Sequence, residues 1–269
     1  GVYDVYYAWD TTDTVNPPAL PRNQKALIRS GVTLTSTQTF NVDIQAITLT
    51  GRITVNGVVP PAERFGTVTL RNSTTGDSVS LGTVTDASYL PKQIIPGVYD
   101  VYYAWDTTDT VNPPALPRNQ KALIRSGVTL TSTQTFNVDI PTVTLSGQIT
   151  VNGVVPPAER FGTVTLRNST TGDSVALGTL TDASYTPKQI IPGVYDVYYA
   201  WDTTDTVNPP ALPRNQKALI RSGVTLTSTQ TFNVDIQAIT LTGRITVNGV
   251  VPPAERFGTV TLRNSTTGD

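Results

Sequence analysis

The sequence predicts an all-β protein: a tandem, rod-like array of β-sandwich units of 96 residues. Three observations carry that reading. The run Gly97-Val98-Tyr99-Asp100-Val101-Tyr102-Tyr103-Ala104-Trp105-Asp106 occurs three times, opening at Gly1, Gly97 and Gly193. Each copy holds several short runs with apolar residues at every other position, the period of a strand, and no segment carries a 3.6-residue period. Gly, Pro and Asn punctuate these runs at short intervals, as they do in sandwiches.

Residues 47–142 and 143–238 read as complete sandwich repeats. Residues 1–46 match the last strands of a unit and 239–269 the first strands. In the first complete unit, Ile47 to Val55 alternates, with Ile47, Leu49, Ile53 and Val55 inward. Asn56-Gly57 is a type I′ turn signal. Val58 to Arg64 is a connection stiffened by Pro60 and Pro61. Thr67 to Arg71 is a second strand, Ser73 to Asp77 a turn, Ser78 to Leu81 a third strand and Ser88 to Ile95 a fourth. Pro96-Gly97 then predicts a type II turn, with Gly97 at positive φ. The aromatic strand follows. Tyr99, Val101, Tyr103 and Trp105 share one face and are assigned to the core. Thr107 to Gln120, with Pro113, Pro114 and Pro117, is long for a compact domain, so it is functional or packed against a neighbour. Lys121 to Arg125 is a strand, Ser126-Gly127 a turn, and Thr133 to Ile140 the closing strand, with Phe136, Val138 and Ile140 inward.

The passage from one unit to the next has no flexible linker. Apolar residues occupy even positions before Pro141 and odd positions after it. That change of parity moves the apolar face to the other side of the strand. One extended segment can therefore close one sandwich and open the next, with Pro141 (Gln45 and Gln237 in the other copies) at the joint. A strand of about ten residues spans ~33 Å, so the rise per unit is a few tens of ångströms.

Composition narrows the function. The chain has no Cys, Met or His, and its net charge is −1 with 14% charged residues. Disulfides and thiolate chemistry are excluded, and the commonest neutral-pH acid–base group is missing. Mixed, sparse charge does not attract nucleic acid, and no apolar run is long enough to insert in a membrane. Low charge, abundant Thr and no oxidisable sulfur suit an extracellular or cell-surface structural protein. The copies at 1–44, 97–140 and 193–236 are identical. An enzyme needs one good site, whereas a filament needs many equivalent units.

The run Leu49-Thr50-Gly51-Arg52-Ile53-Thr54-Val55-Asn56-Gly57, with Thr75-Gly76-Asp77 and Ile95-Pro96-Gly97-Val98-Tyr99-Asp100-Val101, resembles a known group. It is similar to the carboxypeptidase regulatory-like, or transthyretin-like, β-sandwich repeats of bacterial surface proteins, and to Cna-type B repeats in adhesin stalks. The resemblance implies a seven-stranded, Ig-like or transthyretin-like sandwich and a spacer or scaffold role without activity. Cna-type repeats often carry a Lys–Asn isopeptide bond whose lysine lies on the first strand. Here that strand offers Arg52 or Gln148, and Asn137 on the last strand points away from Phe136 and Val138.

Other candidate sites have plainer readings. Asp100, Asp106 and Asp109 offer oxygen ligands for Ca²⁺, but their spacing fits no calcium loop, and solvated acids account for them. Asn72, Asn168 and Asn264 open N-x-Ser/Thr sequons, which also read as turn chemistry. Tyr102 and Trp105 could stack on a carbohydrate, although Trp105 shares the core face. Glu63 has no carboxylate partner for hydrolysis. No catalytic residue, metal site or cofactor is assigned.

The expected function is an extracellular filament or surface stalk, with further copies of the same repeat or chain as partners. The partial units allow a continuous polypeptide of many repeats, or separate chains completing one another head to tail by strand addition. Either gives a homopolymeric fibre. The alternative is a multivalent adhesin that binds a glycan through repeated weak contacts.

Overall fold

The computed structural model describes residues 1–13, 20–61, 66–83, 88–108, 116–157, 162–179, 184–204, 212–254 and 258–268. These residues are all-β, with no helix. The leading segment holds one antiparallel pair, β1 (Val2–Tyr7) and β2 (Ala26–Thr33). Nine strand segments follow: β3 (Ile47–Gly51), β4 (Ile53–Val55), β5 (Gly66–Asn72), β6 (Ser78–Thr83), β7 (Tyr89–Ile94), β8 (Gly97–Trp105), β9 (Ala122–Leu130), β10 (Gln134–Thr135) and β11 (Val138–Ile140). The same nine recur as β12 (Val143–Gly147), β13 (Ile149–Val151), β14 (Gly162–Asn168), β15 (Ser174–Thr179), β16 (Tyr185–Ile190), β17 (Gly193–Trp201), β18 (Ala218–Leu226), β19 (Gln230–Thr231) and β20 (Val234–Ile236).

In the first nine, one layer is a four-stranded antiparallel sheet in the order β6-β5-β8-β9. The facing layer is β10-β3-β7, continued by the pair β11-β4. The first strand thus bends at Gly51-Arg52 and the last at Phe136-Asn137. The two pair in parallel, Gln134 opposite Leu49 and Val138 opposite Ile53. A Cβ at Gly51 would land on the Phe136 carbonyl oxygen, so glycine lets the two bends nest.

The aromatic strand β8 sits inside its sheet, between β5 and β9. That placement follows from its composition, since aromatic and β-branched residues suit a pleated, buried surface. Tyr99, Val101 and Tyr103 are fully buried and meet Leu49, Ile53, Leu70, Leu81, Phe136, Val138 and Ile140 in one core. An equivalent core forms around Tyr195, Val197 and Tyr199. Each buried tyrosine keeps its hydroxyl bonded, Tyr103 to the Pro117 carbonyl at 2.9 Å and Tyr99 to the Ile95 carbonyl at 2.5 Å. An unbonded hydroxyl there would cost on the order of 1–3 kcal/mol.

Asn56 and Gly57 have φ of 48° and 76°, the left-handed pair of a type I′ turn. Two turn expectations are corrected. Ser126-Gly127 does not reverse the chain. β9 runs through it, and Gly127 (φ 66°) sits at a register slip against β8. A bulge needs the same positive φ that a turn does. Gly97 is not at positive φ and simply opens β8. Its missing Cβ makes room for the Asn72 amide, 2.9 Å from where that carbon would stand. Among the described residues, 239–254 and 258–268 lie outside any sheet except for the bridge Val247–Val250, and Ile239, Leu241 and Leu262 are exposed.

Candidate functional site

The most elaborate polar arrangement lies where one repeat meets the next. The chain leaving β8 passes through a loop described at Asp106-Thr107-Thr108 and at Leu116-Pro117-Arg118-Asn119-Gln120-Lys121. Leu116 anchors the loop in its own core, fully buried. Asn119, also fully buried, projects into the following repeat. Its Nδ2 donates to Asp173 Oδ2 at 2.5 Å and to the Tyr195 hydroxyl at 3.1 Å. Its Oδ1 accepts the Ile191 N–H at 2.8 Å, and its own carbonyl accepts the Trp105 N–H at 2.8 Å. One asparagine therefore bonds both repeats.

The flanking backbone adds to the seam. The Arg118 N–H donates to the Gln189 carbonyl at 2.8 Å, and the Gln120 N–H to the Ser174 carbonyl at 3.3 Å. The Lys121 N–H donates to Asp173 Oδ1 at 2.6 Å. Asp173 is almost fully buried, and these N–H groups hold its carboxylate. Charge-assisted bonds of this kind are stronger than neutral ones. Burial pushes the Tyr195 hydroxyl up to about 12, and Tyr99 shifts the same way. Burial and the nearby Arg118 push Lys188 down, as burial and Arg22 do for Lys92.

The junction recurs upstream. Asn23 donates to Asp77 at 2.5 Å and to Tyr99 at 3.2 Å, and accepts from the Ile95 N–H at 2.8 Å. These contacts lie 54, 76 and 72 residues apart in sequence. Local periodicity carries no trace of them, and the loop's unusual length was the one available signal.

Trp105 is half-buried at the rim of the core, with the Arg118 guanidinium 4.3 Å from its ring centre. Gln45 and Gln237 are exposed and donate to the nearby Asp43 and Asp235 side chains. Pro141 is exposed between β11 and β12. Asn72 and Asn168 are half-buried and Asn264 exposed. Each caps its own turn, as Asn72 Oδ1 accepts the Thr74 and Thr75 N–H groups at 3.0 and 2.9 Å. The Asn72 side chain also bonds the Tyr99 hydroxyl. Asp106 holds the Thr108 N–H and hydroxyl, and Asp100 the Gly127 N–H. Asp109, Pro113, Pro114 and Glu63 lie outside the described residues. Among the described residues no group of three His, Cys, Asp or Glu side chains could hold a metal ion.

Tyr102 is half-buried, with the Lys121 ammonium 5.9 Å above its ring. Its counterpart Tyr198 lines a cleft of about 170 Å³ with Thr165, Arg167, Ser174 and Lys217. Small-molecule sites usually enclose ~300–1,000 Å³, so this cleft is smaller than a usual small-molecule site.

No family model matches the chain, and no curated protein matches it. Among solved structures, it is similar to a leucine-rich repeat protein from Bacteroides thetaiotaomicron, at 14% identity over 73% of this chain and 27% of that one, with a TM-score of 0.23. It is also similar to the Bacillus anthracis TIE protein, at 14% identity over 71% of this chain and 34% of that one, with a TM-score of 0.24. The chain thus spans about a quarter to a third of their lengths. A third likeness is to GBS52, the minor pilin of Streptococcus agalactiae, at 12% identity over 75% of this chain and 100% of that one, with a TM-score of 0.30. Scores of this size say nothing of function.

Proposed function

We propose that this chain is a structural protein of the cell exterior, whose repeats stack head to tail into a stiff filament or surface stalk. The observation that supports this most is the repetition of the junction. The Asn–Asp, Asn–Tyr and Ile–Asn contacts made by Asn119 recur at Asn23 with lengths that agree to within 0.1 Å. A head-to-tail contact repeated with one geometry extends as an open column unless the rotation closes it into a ring. Neighbour contacts of this kind are how repeat proteins propagate stability along their length.

The exposed area agrees with this reading. The chain exposes 15503 Å², against the ~11,300 Å² expected of a compact protein of 28.8 kDa. Exposed residues within 239–254 and 258–268 account for part of the excess.

Function here is mechanical. Near-identical units set length, and the buried Asn–Asp seam sets the angle between neighbours. Negative-stain microscopy of the native material tests the reading. Uniform fibres with an axial repeat of a few tens of ångströms support it. Discrete globules that bind a glycan favour the adhesin instead.

A further inference from the structure

The first and last strands of each repeat run in parallel, and that direction determines how a repeat responds to tension. The chain enters the first complete repeat at Ile47, the start of β3, and leaves it at Ile140, the end of β11. Because β3-β4 and β10-β11 are parallel neighbours, entry and exit lie at opposite ends of one ladder. Tension along the chain therefore slides one strand lengthwise against the other. Every rung is strained together, whereas a pair pulled apart from one end opens a rung at a time.

Backbone bonds make the inner rungs. The Phe136 N–H donates to the Thr50 carbonyl at 2.6 Å, the Val138 N–H to the Arg52 carbonyl at 3.0 Å, and the Asn56 N–H to the Ile140 carbonyl at 3.2 Å. Side chains add more across the same seam. Thr133 Oγ1 accepts the Thr48 N–H and Asn137 Oδ1 the Arg52 N–H, both at 3.1 Å. Asp139 Oδ1 accepts the Thr54 hydroxyl and the Gly57 N–H, both at 2.7 Å. At the exit, Asn56 grips the departing chain. Its Nδ2 donates to Thr142 Oγ1 at 2.8 Å, and its Oδ1 accepts the Thr142 N–H at 2.9 Å.

The second repeat makes corresponding bonds through Thr229, Asn233, Asp235 and Asn152. Asn137 and Asp139 are exposed, so burial does not explain their engagement. Exposed polar side chains satisfied by water have no need of a partner strand, yet these reach the first strand in both repeats.

We propose that these paired terminal strands form a shear clamp that sets the force at which a repeat opens, with Asp139 and Asn56, and their counterparts Asp235 and Asn152, as its side-chain rungs. The clamp rests on the reading of the chain as a tension-bearing structural protein. Opening under force is governed by the unfolding rate, not by equilibrium stability. The clamp therefore makes a claim that stability measurements cannot stand in for.

Single-molecule pulling of the full chain from its two ends tests this. Each repeat that opens should release about 300 Å of chain, since 96 extended residues span roughly 320–350 Å. The double variant Asp139→Ala with Asp235→Ala should open about tenfold faster at fixed force, as expected for rungs of ordinary hydrogen-bond strength. Asn56→Gly with Asn152→Gly keeps the turn's positive φ, removes the grips on Thr142 and on the Ala238 backbone, and should act in the same direction. A control, Val79→Ala with Val175→Ala in the four-stranded sheets, lowers equilibrium stability and should leave the opening rate under force nearly unchanged. The clamp is overturned if both clamp variants open at the parent rate, or if the control speeds opening as much as they do. The assay reads single chains, so a clamp that fails here leaves the fibres seen by microscopy untouched. Absent fibres with clamp-dependent opening would contradict the filament alone.

Discussion

The side-chain amide of Asn119 donates to the carboxylate of Asp173 at 2.5 Å, joining two repeats through a pair of buried residues. Replacing Asn119 with Ala leaves that carboxylate short of a donor in a site closed to water. The expected cost is about 1–3 kcal/mol. It should appear as a drop in the denaturant midpoint, together with a broader transition as the repeats uncouple. An unchanged, equally sharp transition would mean that the seam does not couple them.

Glycines at two sites should respond differently to alanine. At Gly51 a Cβ meets the Phe136 carbonyl oxygen, which the bend holds in place. Gly51→Ala should cost toward the upper end of the ~1–3 kcal/mol typical of overpacking. Gly127 has φ of 66° and open space around it, so Gly127→Ala should cost about 1 kcal/mol from backbone strain alone. Thermal unfolding of the two variants side by side makes the comparison.

Alkali should loosen the junctions. Burial raises Tyr195 to about 12 and raises Tyr99 as well. A group raised in the folded state contributes stability that is complete below its unfolded value, near 10, and is lost as pH rises through the folded value. Denaturation midpoints should therefore fall above about pH 10. Tyrosine absorbance at 295 nm should show a late-titrating class that Tyr195→Phe diminishes.

Acid should act on the clamp. Hydrogen bonds from the Thr150 hydroxyl and the Gly153 N–H hold the Asp235 carboxyl below its usual range. Its contribution is present above the unfolded value, near 3.9, and is lost as pH falls through the folded value. The opening force of the second repeat should be lower at pH 2 than at pH 7, and Asp235→Ala should reduce that difference.

Much of the strand layout was legible because it is local. The alternation of Tyr99, Val101 and Tyr103 fixes a strand and its inner face, and Asn56-Gly57 marks a tight turn by its own conformational preference. Gly127 shows where local signals stop. A bulge and a turn ask the same backbone angle of glycine, and only the strand on the other side of β9 decides between them. Gly97 shows the same limit, because its reason is the Asn72 side chain, 25 residues earlier. Asn119 and Asp173 were silent for a stronger reason. Both look like ordinary loop polar residues until the next repeat folds around them. The parallel pairing of first and last strands is equally hidden, since side chains about 85 residues apart set it.

The stacking of repeats into a column is tested most directly by small-angle X-ray scattering of the 269-residue chain at low concentration. Nearly three repeats, each rising a few tens of ångströms along one axis, should give a radius of gyration of roughly 30 Å. A value near 18 Å, that of a compact domain of this length, would contradict the column.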